Sequence, residues 1–235
     1  MSTVTISNIP NRSQPDTPPL EAGDRLSRAE FERRYDAMPG LNKAELIEGE
    51  VHMPSPVGWT RHAMPHQHLS WWLGSYQMST PGVQVGHNGS IRLDLDNMPQ
   101  PDAAMIIDPR LGGQTQISAD DYVVGGPELV AEVSSSTVSI DLHAKFQVYR
   151  RNGVQEYLVW RVRDQAIDWF ELRDGGYERL PTEPEGTQRS RVFPGLWLPP
   201  AALLAGDLAT VLRVLQQGLA HDSHAEFVGR LQSPR

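Results

Sequence analysis

The sequence predicts a mixed α/β fold, a central β-sheet flanked by helices. Three observations carry this. Segments with helical spacing of apolar residues alternate with short strand-like runs, in the order helix, hairpin, helix, strands, helix, strands, helix. The run "ELVAEVSS" is apolar apart from Glu132 and its flanking residues, as expected of a strand covered on both faces. No internal repeat or composition break divides residues 24–235, so they read as one domain behind a Ser-, Thr-, Pro- and Asn-rich tail over residues 1–23.

The elements follow in order. Ser27 with Glu30 three residues on is a capping-box pattern, so a short helix starts at "SRAEFERRYDAM". "AELIEGEVHM" reads as strand, turn at Gly49, strand. Met64, Leu69, Trp72, Leu73 and Tyr76 mark an apolar helix face between about Arg61 and Gln77, with a start delayed by Pro65. Ile91, Leu93 and Leu95 alternate with Arg92, Asp94 and Asp96, predicting a half-exposed strand. "MPQPDAAMIID", "ELVAEVSS" and "VQEYLVWRV" give further strands, and Asp141 is placed to cap a helix ending at Asn152-Gly153. "AIDWFELRDGGYERL" is a hairpin through Asp174-Gly175-Gly176. "FPGLWLPP" is a loop or short edge piece, and Leu203 to about Leu231 is helical with a break near Gly218.

Composition narrows the function classes. The chain of 235 residues has no cysteine, which excludes disulfides, thiolate metal sites and a cysteine nucleophile. No apolar run reaches the roughly 18 residues of a membrane span, and the start lacks the pattern of a secretory leader. A cytoplasmic protein with no membrane partner is expected. The net charge of -8 does not announce a nucleic-acid binder, although a local basic groove is compatible with it.

Two carboxylates stand out. Asp102 opens "AAMII" after Pro101, and Glu132 sits inside an apolar strand. An acid in such a place is costly unless it is paired or bound to a cation. Neighbouring strands lie about 4.8 Å apart, so two acids on adjacent strands can share one ion. Asp102, Glu132 and the carbonyl of Val133 make a half-site for a hard divalent cation such as Mg²⁺ or Mn²⁺, completed by water and a substrate phosphate. Lys145, one turn into the next helix, can overhang the end of the Glu132 strand and orient a water or neutralise a phosphate. Singly, each residue has a plainer reading as a strand end, a turn or a solvated side chain.

Taken together, these pieces resemble the Uma family of restriction endonucleases, within the PD-(D/E)XK nuclease superfamily. The matching stretches are "AELIEGEV", "SPVGWTRH", "QPDAAMI", "PELVAEVSSST", "DLHAKFQVYRRNGVQEYLVW" and "FPGLWLP", covering roughly residues 25 to 205 in the family's order. The resemblance implies a restriction-endonuclease-like core and Mg²⁺-dependent hydrolysis of DNA phosphodiester bonds. It implies that Asp102 is the Asp of the PD motif and Glu132 the acid of the (D/E)XK motif. Ser134 stands where that motif has its lysine, and Lys145 of the following helix fits as its substitute. Glu45 and Glu48 are both candidates for the acid contributed from the N-terminal part of such sites. By analogy with enzymes that cut both strands, a homodimer is expected.

Other residues carry weaker signals. His62 and His66 have the spacing of paired helix ligands, but Ala63 stands where a metalloprotease helix has its glutamate, so surface or active-site-rim positions are favoured for them and for His68 over zinc ligation. Ser134 to Ser136 lack a nucleophile elbow and read as strand end and turn. Of Trp71 and Trp72, at least one fits a core better than a base-stacking role, and Arg150 and Arg151 fit a solvated helix end better than a phosphate contact. Two rivals to the nuclease reading remain: the same fold with weak or lost chemistry, binding DNA or protein, and a hydrolase of another class using the histidines.

Overall fold

The structure, a computed structural model, describes residues 17–53 and 56–233; most of the expected tail and Ser55 of "SPVGWTRH" lie outside them. Leu20, in the last part of that tail, is buried, and the Gly23 N–H donates to the Val51 carbonyl. Helix α1 (Arg28–Asp36) starts where Ser27 accepts from the Glu30 N–H. Strands β1 (Glu45–Ile47) and β2 (Glu50–His52) form the expected hairpin. Glu48 and Gly49 both take positive φ there, the two-residue turn that matches strand twist. Phe31, Leu46, Val51 and Met98 bury a small core under this N-terminal part.

A wide turn of π-helix over Trp59–Ala63 leads into α2 (Met64–Met78). The helical path therefore begins ahead of Pro65 rather than being delayed by it. The Ala63 N–H reaches the Gly58 carbonyl and the Met64 N–H the Trp59 carbonyl, an extra residue per turn. The wider turn gives room to a proline ring that would strike the carbonyl four residues back in a regular α-helix.

Strands β3 (Val83–Gly86), β4 (Ile91–Arg92) and β5 (Ala103–Ile107) follow. The alternation predicted through Leu95 ends at Arg92, and Leu95 is exposed. The Asp94 carboxylate accepts from the Asp96 N–H and from the Asn97 side-chain amide, so a turn forms where the pattern suggested strand. Short β6 (Gln116–Ile117) and β7 (Val123–Val124) join β4 in a small sheet. Then come β8 (Leu129–Ser134), a second π-turn over Ile140–Lys145 that runs into α3 (Phe146–Arg151), and β9 (Glu156–Arg161). Asp141 lies inside that π-turn and is buried; it does not cap the helix as predicted, because its carboxylate turns inward to accept from the Thr137 hydroxyl.

Strands β10 (Ala166–Arg173) and β11 (Gly176–Arg179) form the second hairpin, with positive φ at Asp174 and Gly175. Strands β12 (Gln188–Arg189) and β13 (Trp197–Leu198) pair with each other. Helices α4 (Pro200–Leu204), α5 (Leu208–Leu219) and α6 (Asp222–Gln232) close the chain. The breaks fall beside Asp207 and His221, each accepting a backbone N–H at a helix start, not at Gly218. Gly218 sits inside α5, where a Cβ would stand 2.2 Å from the Gly195 carbonyl oxygen, so it serves close packing.

The central sheet has six strands in the order β11-β10-β9-β8-β5-β3, with only β8 and β9 parallel. Strand alternation decides what each face holds. Ala103, Met105, Leu129, Ala131 and Val133 pack with Leu69, Trp72, Leu73 and Tyr76 of α2 and with Leu215 and Phe227 of the C-terminal helices. Each of the larger side chains stabilises the fold by roughly 1.5–3 kcal/mol. Val130, Val159 and Phe170 point the other way, onto Tyr149 and Phe146 of α3. By the same period of two, Asp102 and Glu132 belong to the face that α3 covers.

Candidate active site

Glu132 is the centre of a buried polar cluster. Its Oε1 accepts from the Lys145 ammonium at 2.9 Å and from the Tyr149 hydroxyl at 2.9 Å. The Lys145 Nζ also lies 2.8 Å from Glu45 Oε1 and 3.8 Å from Asp141 Oδ1. Asp141, Lys145 and Tyr149 recur at four-residue intervals, so one helix face delivers all three to the sheet. The sequence reading of Asp141 as a cap that also orients Lys145 fits in its second half but not in its first, and the reading gave Tyr149 no role.

Asp102 lies just ahead of β5, and Glu132 lies inside the adjacent antiparallel strand β8. The β5–β8 ladder closes at Ala103 opposite Ala131, and beyond it the Asp102 side chain takes over from the missing strand. Asp102 Oδ2 accepts the Val133 N–H at 2.8 Å. In extended backbone the N–H and C=O of one residue face the same neighbour, so the Val133 carbonyl is turned to the same notch. Asp102 Oδ1 lies 3.5 Å from His62 Nε2 and 3.8 Å from Lys43 Nζ. His66 Nε2 and His87 Nδ1 both donate to the Asp102 backbone carbonyl, at 2.9 and 3.3 Å. His68 instead lies against Trp160. Lys43 and His87 carried no signal in the sequence; only the folding of the loop ahead of β1 and the end of β3 brings them here.

Of the two N-terminal acids left open by the sequence, Glu45 faces the cluster and accepts the Gln100 N–H at 2.7 Å. Glu48 lies at the β1–β2 turn and pairs with Arg151 at 2.7 Å, on the surface. Ser134, where the motif lysine would stand, is two residues from Glu132 and so on the same side of β8. Lys145 supplies an ammonium to that side from the helix. Trp72 is fully buried with its indole N–H on the Trp197 carbonyl, a core residue as expected.

The cluster lines a cleft of about 540 Å³, which also takes in Gly58, Arg61, His62, Ser135, Ser136 and Arg163. Both π-turns border it. Burial pushes the Glu132 carboxyl up to about 8; Lys145 pulls it down and Asp141, Asp102 and Glu45 push it further up. Burial would raise Glu45 as well, but the Lys145 and Lys43 ammoniums overcome this and hold it below its ordinary value. Burial opposes the charge on Lys145, yet the surrounding carboxylates keep its pKa well above the usual lysine value. Burial raises Asp141. Burial lowers His62, against the pull of Asp102.

Among the described residues no three histidine, aspartate or glutamate side chains form a metal cage. A two-carboxylate site is a different matter. Asp102, Glu132, Asp141 and Glu45 surround two ammoniums, so with all ionised the cluster carries an excess of two negative charges, the complement of one divalent cation. Among the described residues, Asp102 Oδ1 and Glu132 Oε2 make no hydrogen bond shorter than 3.4 Å, which leaves oxygen lone pairs for such an ion. The residues fit Mg²⁺, which needs only one or two carboxylates with water and phosphate.

The fold and the cluster together define a mixed α/β protein with a buried carboxylate–lysine site beside two adjacent strands. Residues 28–201 match the Uma2 family, described as "Putative restriction endonuclease", and the chain belongs to that family. A solved structure from Anabaena variabilis, described as a putative nuclease of DUF820, is similar at 15% identity over 76% of this chain and 92% of that one, with a TM-score of 0.49. No curated protein matches the chain. No helix among the described residues is long and apolar enough to cross a membrane.

Proposed function

We propose that the protein is a metal-dependent endonuclease that hydrolyses DNA phosphodiester bonds. The observation that carries this reading is the convergence of Asp102, Glu132 and Lys145 on one cleft, with Lys145 2.9 Å from Glu132. Membership of a family described as "Putative restriction endonuclease" supports the reaction class.

Asp102, Glu132 and the Val133 carbonyl would hold Mg²⁺ or Mn²⁺. When bound, such an ion lowers the pKa of water and polarises a phosphoryl oxygen. The protein's own groups do the rest. Glu45 and Glu132 fix the Lys145 ammonium, which donates to the attacking water or to the phosphate oxygens as they gain charge. Tyr149 holds Glu132 in one orientation, and Asp102 is fixed by the Val133 N–H. Water adds to phosphorus and gives up one proton to solvent, the P–O ester bond breaks, and the leaving oxygen takes a proton from solvent. A homodimer would place two such sites on opposite strands of a duplex.

A plasmid-nicking assay tests this. Wild type is expected to nick with Mg²⁺ and not with EDTA, and Asp102→Ala to lose cutting. Binding of DNA without cutting under every metal condition would favour the rival, a binding module on the same fold. Loss of cutting in His66→Ala but not in Glu132→Ala would favour histidine-based chemistry.

A further inference from the structure

We infer that Lys43 is a second catalytic ammonium, the group that donates to the non-bridging oxygens of the phosphate under attack, and that Lys145 is left to hold the acids and the attacking water. This rests on the nuclease reading above and divides between two lysines a role otherwise carried by Lys145 alone.

Lys145 has little left to give. Its Nζ lies 2.8 Å from Glu45, 2.9 Å from Glu132 and 3.8 Å from Asp141. Three carboxylates thus compete for the three N–H groups of one ammonium. Its side chain is only 5% exposed. A phosphoryl group in transfer spreads its charge over several oxygens, and donors already aimed at carboxylates cannot meet all of them.

Lys43 is placed differently. Ala44 and Leu46 pack into the small N-terminal core, so the period of two turns Lys43 and Glu45 to the other side, where both line the cleft. Lys43 Nζ lies 3.8 Å from Asp102 Oδ1, near enough to be drawn by its charge and too far for a hydrogen bond. A long contact of 3.4 Å to Asn88 Oδ1 is its one side-chain hydrogen bond among the described residues. Its side chain is 24% exposed, against 6% for Asp102. Lys43 is therefore an ammonium held beside the acid with donors still open to the cleft. Arg61 and Arg163, the other cations on the cleft wall apart from Lys145, are surface side chains. The flexible lysine stem lets Lys43 follow an oxygen as its charge grows.

Wild type, Lys43→Gln and Lys43→Arg test this, cutting a supercoiled plasmid in Mn²⁺ and binding a short labelled duplex in Ca²⁺ over a range of salt. In Lys43→Gln, kcat is expected to fall about a hundred-fold, the usual loss when one transition-state donor is removed, with a much smaller rise in KM. The slope of log affinity against log salt should become shallower by about one in Lys43→Gln, and Lys43→Arg should restore it. The urea midpoint and the Mn²⁺ affinity by calorimetry should not fall. Cleavage by Lys43→Gln at the wild-type rate, or an unchanged salt slope, overturns the inference. So does loss of cleavage that comes with a lower urea midpoint or weaker Mn²⁺ binding, either of which would make Lys43 a prop for Asp102. Full cleavage by Lys43→Gln with none by Asp102→Ala leaves the nuclease reading standing while this one falls; no cutting by wild type sinks both.

Discussion

The Lys145 ammonium lies 2.9 Å from Glu132 and is buried with it, its charge held by Glu132, Glu45 and Asp141 together in a place water barely reaches. Removing one partner strands the rest. Lys145→Met should cost about 3–5 kcal/mol of stability, the usual result of breaking a buried pair. It should also abolish cleavage. Urea melts followed by circular dichroism give the first number, and nicking assays on the folded fraction give the second. A Lys145→Met protein as stable as wild type would show that the site tolerates uncompensated carboxyls and that the pairing is weak.

Asp102→Asn separates structure from chemistry. Asp102 Oδ2 accepts the Val133 N–H where the β5–β8 ladder has ended. An amide oxygen can still accept that bond, so the variant should melt within about 1 kcal/mol of wild type. The charge is gone, so Mn²⁺ affinity by calorimetry and cleavage should both fall by at least about tenfold, one ligand's worth. Full activity in this variant would remove Asp102 from the site.

The fold was legible because its signals are local. Ser27, Glu48-Gly49 and Asp174-Gly175 set a cap and two turns by their own side chains or φ values, and the apolar run around Glu132 announced a covered strand. The π-turns were not legible, because periodicity cannot separate a wide turn from a regular one. The strand predicted through Leu95 failed to a side-chain turn at Asp94 that competes with pairing. At the site, an apolar run around Glu132 and another opening at Asp102 made the two acids conspicuous. Glu45 and Glu48 looked alike because they stand only three positions apart, and only the folded hairpin, with Glu45 on β1 and Glu48 in the turn, sets one inward and the other toward Arg151.

That contrast is directly measurable. Glu45→Gln keeps an acceptor for the Gln100 N–H but removes the charge 2.8 Å from Lys145. Cleavage should drop at least about tenfold, the effect of removing a supporting partner in such a site. Glu48→Ala breaks only an exposed pair with Arg151, worth about 0–1 kcal/mol. Its cleavage rate should match wild type. The opposite ranking would assign the N-terminal acid to Glu48.

Tyr149→Phe deletes one hydrogen bond to Glu132 and leaves the ring packed against Tyr157. Glu132 Oε1 keeps Lys145 as partner, so the stability loss should be modest, about 0.5–1.5 kcal/mol. The Glu132 carboxylate becomes freer to turn, so a rise in the metal concentration needed for half-maximal cleavage, larger than any fall in the saturated rate, is expected. A metal titration of cleavage by both proteins reads this; superimposable curves would mean that the hydroxyl does not position Glu132.

Glu156 gives a pH dependence away from the site. Its carboxylate is fully buried and accepts from the Ser190 hydroxyl and from the Arg191 and Val192 N–H groups. Burial pushes it up from an ordinary value of 4.5 to about 7, against the pull of those donors. The folded chain therefore holds a proton that the unfolded chain releases between these two values. Stability should fall as pH rises through that window, by up to about 1.4 kcal/mol per unit, and level off above the folded value. Glu132 and Asp141 are raised as well and act in the same direction, so the contribution of Glu156 must be taken as a difference. Glu156→Gln keeps an acceptor oxygen for the backbone donors and has no proton to lose. Measured by urea unfolding, wild type should lose about 2–3 kcal/mol relative to Glu156→Gln on going from about pH 5 to about pH 8. Parallel curves for the two proteins would mean that Glu156 titrates at its unfolded value and that the Ser190–Val192 donors hold it fully ionised.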